Sequence, residues 1–153
     1  MINIIDNIVD IIIGDITIEK VYLENQIVWE REQDDYDPYD MTGFLSGYRL
    51  YTNGTTRSGS TYVVTKFYPL IAGHSYKIYA PGGNRSYCYG WTYQEDQSTA
   101  VLQHFINNTS KICTFTADST EIYFRMTFMK NNLADSYIQD TTTKKYLFKG
   151  ANL

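Results

Sequence analysis

Over the first thirty residues, apolar and polar positions alternate in three runs, "IVDIIIGD", "ITIEKVYL" and "QIVWE", with breaks at Gly14-Asp15 and Glu24-Asn25. Period-two alternation bounded by turn residues predicts strands, and residues 8–30 read as a three-stranded β meander. Ile4, Ile5, Ile8 and Ile12 also fall at 3.6-residue spacing, the stripe of a short helix able to associate with copies of itself, so residues 2–7 fit either conformation. So small an element has no core of its own, and isolated hairpins are marginal in water. Its apolar positions, Ile11, Ile13, Ile16, Ile18, Val21, Tyr22, Leu23, Ile27, Val28 and Trp29, are therefore candidates for burial against another chain. Residues 1–30 are expected to form an attachment and oligomerisation arm.

The alternation stops at "EREQDDYDPYD", residues 30–40, which hold six carboxylates, one Arg and one Pro. Residues 31–42 read as a solvated acidic linker. Asp35, Asp37 and Asp40 have something of the spacing of a calcium loop, but the glycine and distal glutamate of such loops are missing, and no metal is expected. From Gly43 onward strand patterns recur at short intervals: "GYRLYT", "TYVVTKFYP", "SYKIYA", "SYCYGWTY", "VLQHFI", "ICTFTA", "EIYFRMTF" and "KYLFK". Turn-like segments such as "NGTTRSGS", "PGGNR" and "KNNLADS" join them. Eight strands so spaced predict an all-β fold, an antiparallel jelly-roll sandwich over residues 43–153. In "EIYFRMTF", Ile122, Phe124, Met126 and Phe128 share the face expected to be core.

Composition agrees. The chain of 153 residues is 43% hydrophobic and 20% charged, with 15 Tyr, 7 Phe and 2 Trp, which suits ordered β structure. The net charge of -4 comes with no run of Lys or Arg, which argues against nucleic-acid binding. Cys88 and Cys113 sit in apolar strand contexts without metal-ligand spacing and read as buried thiols. The N-terminus has no positive region ahead of an apolar core, so neither a signal peptide nor a membrane span is expected.

Candidate chemistry is sparse. "SYCYGWTY" places Tyr87, Tyr89, Trp91 and Tyr93 on one strand face. Such a face can stack on sugar rings or a protein partner, or it can fill the inner wall of a sandwich. His74 and His104 have no nucleophile or carboxylate at a motif spacing, and catalytic signatures are missing. Neither an enzyme nor a cofactor is expected. Most acidic residues crowd into the first 40 positions rather than the strand ends where a glycosidase pair would sit.

"IIIGDITIEKVYLENQIVWE" is similar to a pattern that recurs in bacteriophage structural proteins: an Ile-Gly start, a strand and turn of the form I-x-K-V-Y-L-G-N, and a strand ending in V-W. Glu24 stands where that pattern has a glycine. "YVVTKFYPLIAGHSYKIYA", "WTYQEDQS" and "FTADSTEIYFR" resemble the jelly-roll modules of phage fibre, baseplate and receptor-binding proteins. The resemblance covers most of the chain in short pieces. It implies a virion structural protein, a short head fibre or decoration protein, present in the host cytoplasm during assembly. Its partners would be a capsid or tail protein and copies of itself, a trimer ahead of a dimer. Two alternatives follow: a tail or baseplate adhesin gripping host-surface glycans through Tyr87, Tyr89, Trp91 and Tyr93, or a glycan-degrading enzyme.

Overall fold

The computed structural model describes residues 36–153 throughout and, before them, the backbone of four short strands; residues 1–10, 14–15, 19, 24–25 and 31–35 lie outside the description. The chain divides into two units, Met1–Tyr36 and Asp37–Leu153.

In the first unit, β1 (Ile11–Ile13) pairs antiparallel with β2 (Ile16–Ile18), and β3 (Lys20–Leu23) pairs with β4 (Gln26–Glu30). Two separate hairpins thus stand in place of the expected three-stranded meander. The reason is visible in "ITIEKVYL". Ile16 and Ile18 hold one phase of the alternation, whereas Val21 and Leu23 hold the other, because Glu19-Lys20 inserts two charged residues in succession. A single strand would send the two apolar pairs to opposite faces. Ile12 lies in β1, while the helix alternative for Ile4, Ile5 and Ile8 falls outside the described residues.

The second unit contains β5 (Leu45–Leu50), β6 (Thr56–Val64), β7 (Tyr68–Pro69), β8 (Ser75–Tyr79), β9 (Tyr89–Tyr93), β10 (Ala100–Phe105), β11 (Ile112–Thr116), β12 (Tyr123–Met129), a 3-10 helix (Lys130–Asp135), β13 (Tyr137–Asp140) and β14 (Lys145–Lys149). They form two packed antiparallel sheets, a β-sandwich. One sheet runs β10-β9-β12-β6-β5 with β7 also on β12, and the other runs β11-β8-β13-β14. The pairings nest around the β9–β10 hairpin: β8 with β11, then β7 and β6 with β12.

Alternation on β12 carries the core, as its sequence pattern predicts. Phe124, Met126 and Phe128 are buried, and rings cross between the sheets from Phe115 to Phe124 at 5.2 Å and from Phe128 to Phe148 at 5.7 Å. Gly90 on β9 sits directly against this layer. A Cβ there would run into the Phe124 ring and lie 2.9 Å from the Arg125 carbonyl. Outside the same sheet, the tip of the β5–β6 hairpin folds over β9 and β10, where Gly54 at φ 79° turns the chain back. A Cβ on Gly54 would come within 2.6 Å of Ala100 Cβ.

Several segments differ from the sequence-based expectation. "TRSGS" extends β6 rather than forming a loop, and the mostly exposed side chains of Thr56–Ser60 account for the missing apolar signal. Tyr137–Asp140 is a central strand, too short and too polar to register as one. Ser86 and Tyr87 precede β9 in a turn, where the amides of Tyr87 and Cys88 donate to the Asn84 carbonyl. Residues 37–42, expected as linker, lie on the sandwich: the Lys149 amide donates to the Pro38 carbonyl at 2.9 Å, and Lys66 pairs with Asp40 at 3.0 Å. Asp40 also accepts from the Thr42 amide, and these bonds hold its carboxyl well below the usual carboxylate range. Asp35 lies outside the described residues. No helix among the described residues is long and apolar enough to cross a membrane.

Candidate functional site

The four aromatic candidates do not form an open face. Tyr89 and Tyr93 are each 2% exposed, Trp91 is half-buried, and Tyr87 lies in the turn before the strand. The polar handles on β9 are committed to the overlying hairpin: Tyr89 Oη donates to the Leu50 carbonyl at 3.0 Å, Trp91 Nε1 to that of Tyr51 at 3.0 Å and Tyr93 Oη to that of Gly54 at 2.7 Å. Burial pushes the Tyr93 phenol up to about 12. Tyr89 and Tyr93 are thus structural pillars that seat the β5–β6 tip, and buried rings cannot stack on an incoming sugar.

The exposed aromatic surface lies around them. Tyr48, Tyr51, Tyr87 and Phe105 are all exposed. Arginines accompany three of these rings: Arg49 lies 5.3 Å from the Tyr87 centroid, Arg57 lies 4.1 Å from Tyr51, and Arg85 lies 4.9 Å from Phe105. The pieces meet around Tyr89 and Gly59: Phe105 packs on Tyr89 at 5.8 Å, Tyr89 Oη reaches the carbonyl of Leu50 between Arg49 and Tyr51, and Tyr62, which packs on Tyr87 at 6.0 Å, flanks Gly59 together with Arg49. The sequence shows no basic run because these arginines come from β5, β6 and the turn before β9, and only the fold gathers them. Arg85 and Phe105 also line a cleft of about 640 Å³ along the β10–β11 edge, together with Gln103, His104, Asn108 and Cys113.

Both histidines have carboxylate partners that the sequence does not place near them. His104 Nε2 bonds Glu121 Oε1 at 3.1 Å, with its ring stacked on Phe115 at 4.0 Å. Glu121, only 3% exposed, also accepts from the Thr92 hydroxyl at 2.8 Å and the Asp118 amide at 2.9 Å. Burial lowers the His104 pKa, and the Glu121 carboxylate opposes that only in part. His74 Nδ1 bonds Asp140 Oδ2 at 2.7 Å, while Asp140 Oδ1 accepts from the Thr142 and Thr143 amides. These two pairs tie β10 to the start of β12 and β8 to the β13–β14 turn.

Neither pair has the make-up of a nucleophilic centre. Among the described residues no hydroxyl or thiol is hydrogen-bonded to either imidazole, whereas an activated nucleophile needs its base within that reach. No group of three or more His, Cys, Asp or Glu among the described residues could hold a metal ion. Cys88 and Cys113 are free and buried; burial raises both thiols, Cys113 to about 11, which suppresses the reactive thiolate.

The arm candidates all fall within strands: Ile11 and Ile13 in β1, Ile16 and Ile18 in β2, Val21, Tyr22 and Leu23 in β3, and Ile27, Val28 and Trp29 in β4. No protein-family model matches the chain, and no curated protein or solved structure matches it.

Proposed function

We propose that this protein is a non-enzymatic structural component of a bacteriophage virion, a short head fibre or capsid decoration protein that docks through its N-terminal unit and projects a jelly-roll domain. The observation that carries the docking half is the division of residues 11–30 into two separate two-stranded hairpins. A two-stranded hairpin is marginal alone, so elements of this kind need a surface supplied from outside, such as a capsid or tail protein or further copies of the chain. The nested strand pairing around β9–β10 supports the jelly-roll reading, because a jelly roll is one long antiparallel hairpin wound into two sheets. The placement on a virion rests on the sequence resemblance. Fibres of this type are closed homo-oligomers, and a trimer is favoured over a dimer.

The test deletes residues 1–36 and asks whether the sandwich still joins particles. Incorporation at wild-type levels overturns the docking role, and sedimentation of the full chain as a clean monomer overturns the fibre. Imaging of labelled particles separates capsid from tail.

A second reading, a tail or baseplate adhesin for host-surface glycans, is favoured by one observation: exposed aromatic rings accompanied by arginines on one surface of the sandwich. In this reading the contact shifts from Tyr89 and Tyr93 to the exposed rings around them.

A further inference from the structure

All four arginines among the described residues, Arg49, Arg57, Arg85 and Arg125, lie over aromatic rings, and none is ion-paired with a carboxylate of those residues. Arg125 is structural. Its Nε donates to the Thr65 carbonyl at 2.9 Å and its guanidinium covers Phe67 at 4.3 Å, which fastens β12 to the end of β6. The other three surround one exposed surface and make no comparable tie.

That surface is built at a cost. Arg49 and Arg57 are direct cross-strand partners on β5 and β6, and like charges placed opposite each other destabilise a sheet. Gln103, the cross-strand partner of Trp91, has its Nε2 shut off from solvent with no acceptor, and an unmatched buried donor loses its hydration without return. Gly59 provides a passage: a Cβ there would lie 3.0 Å from Tyr62 Cδ2 and 3.3 Å from Arg49 Cγ and Cδ. A side chain at position 59 would therefore displace Arg49 from its place by Tyr87.

Charge is also divided along the chain. Nine of the 17 carboxylates and two of the 13 Lys and Arg lie in residues 1–36. That leaves eight against eleven, a net charge of +3, in the sandwich unit Asp37–Leu153. An acidic protein thus presents a basic sandwich.

A guanidinium lying on a ring keeps the N–H edge of its fork open to carboxylate or phosphate oxygens. The rings beside it offer flat faces to the C–H face of a sugar. We infer that the surface formed by Arg49, Arg57, Arg85, Tyr51, Tyr87 and Phe105 binds an acidic glycan, a sugar chain bearing carboxylate or phosphate groups. Arg49 and Arg57 share one anionic group, which relieves their mutual repulsion, and Arg85 meets another across Phe105. Nucleic acid fits less well, because three arginines neutralise few phosphates.

The inference rests on the glycan-adhesion reading and fails separately from it. The full chain is titrated calorimetrically with oligogalacturonate, poly(glycerol phosphate), a neutral dextran oligosaccharide and a short single-stranded DNA. Saturable binding of an acidic glycan is expected, with affinity falling about tenfold or more in Arg49→Gln/Arg57→Gln, less in Arg85→Gln, and not at all in Lys144→Gln. Which acidic ligand binds separates carboxylate from phosphate recognition. Arg57→Lys keeps the charge without the planar fork and is expected to lose part of the affinity. Thermal unfolding of Arg57→Gln at or above the wild-type temperature, as relief of the like-charge pair demands, identifies the loss as one of ligand contact. Acidic-glycan affinity unchanged in the double variant overturns the inference, as does DNA binding as tight as the glycan's. Binding of dextran alone overturns it and leaves adhesion standing, whereas binding of no sugar overturns both.

Discussion

Replacing Glu121 by Ala removes the acceptor on which three donors converge: Thr92 Oγ1, His104 Nε2 and the Asp118 amide. The Thr92 hydroxyl has a fallback in the Leu102 carbonyl at 3.3 Å. His104 Nε2 and the Asp118 amide have no second protein acceptor; Glu121 is 3% exposed, whereas Asp118 stands in an exposed turn and His104 lines the β10–β11 cleft. Hydrogen bonds to a charged acceptor contribute about 1.5–3 kcal/mol each, and a stranded buried donor costs a similar amount. Water reaches part of both donors, so the two losses put the expected destabilisation at about 2–3 kcal/mol, or roughly 6–12 °C in Tm for a domain of this size. Urea unfolding at pH 7.5 measures it. A loss below about 1 kcal/mol with an unchanged denaturant slope would refute the role given to this carboxylate.

The same cluster sets a pH dependence. Burial depresses the His104 pKa, so the folded chain binds fewer protons there than the unfolded chain does. Its contribution is therefore fully present above the unfolded value of about 6.5 and is lost as pH falls below it toward the folded value. Glu121→Gln, which removes the charge opposing that depression, should deepen the loss. A wild-type stability that stays flat from pH 7.5 to 5 contradicts a buried neutral His104.

Three further outcomes are expected. Gly90→Ala drives a methyl into the Phe124 ring and toward the Arg125 carbonyl, and should cost about 1–3 kcal/mol in chemical denaturation; an unshifted midpoint argues against the packing described. At Asp140, burial works to raise the carboxyl pKa, but the His74 contact and the Thr143 amide outweigh it and hold the pKa below its ordinary value. The stability this supplies is present above about 3.9, the unfolded value, and lost as pH falls below it. Asp140→Asn should flatten that acid limb, and equal losses in variant and wild type between pH 5 and 3 would rule the linkage out. Cys88 and Cys113 should resist a thiol reagent in the native protein and react on unfolding, whereas rapid native labelling is incompatible with their burial.

The readable parts of this sequence are those where one strand face meets the core. "SYKIYA" shows strict period-two burial and "EIYFRMTF" shows it at Phe124, Met126 and Phe128, although Glu121 and Thr127 are buried as well and Ile122 only partly; both strands lie where the pattern puts them. Residues 56–60 and 137–140 are silent for the same reason: alternation reports burial, and polar or brief strands give no such signal. Two-phase "ITIEKVYL" carries its own break at Glu19-Lys20, legible only when the phase of each apolar pair is compared. Local spacing misplaces the candidate site more seriously. The Tyr-x-Tyr-x-Trp-x-Tyr pattern correctly gathers Tyr89, Trp91 and Tyr93 on one face, but nothing nearby announces that residues 50–54 will cover it. The partnerships of His104 with Glu121, His74 with Asp140 and Arg49 with Arg57 depend on strand pairing and turns, which no motif at fixed spacing encodes.

The nested pairing also sets a timetable for the chain. Val64 on β6 finds its partner at Thr127 on β12, whereas the innermost β9–β10 hairpin closes over a few residues. Closing distant pairs costs more chain entropy than closing near ones, and topologies rich in distant pairs fold slowly. During synthesis β6 must wait until β12 has left the ribosome, with its backbone edge unpaired in the interval. Folding can therefore start at β9–β10 and wind outward, and the β5–β6 hairpin, which carries Arg49 and Arg57, joins β12 only late in that order.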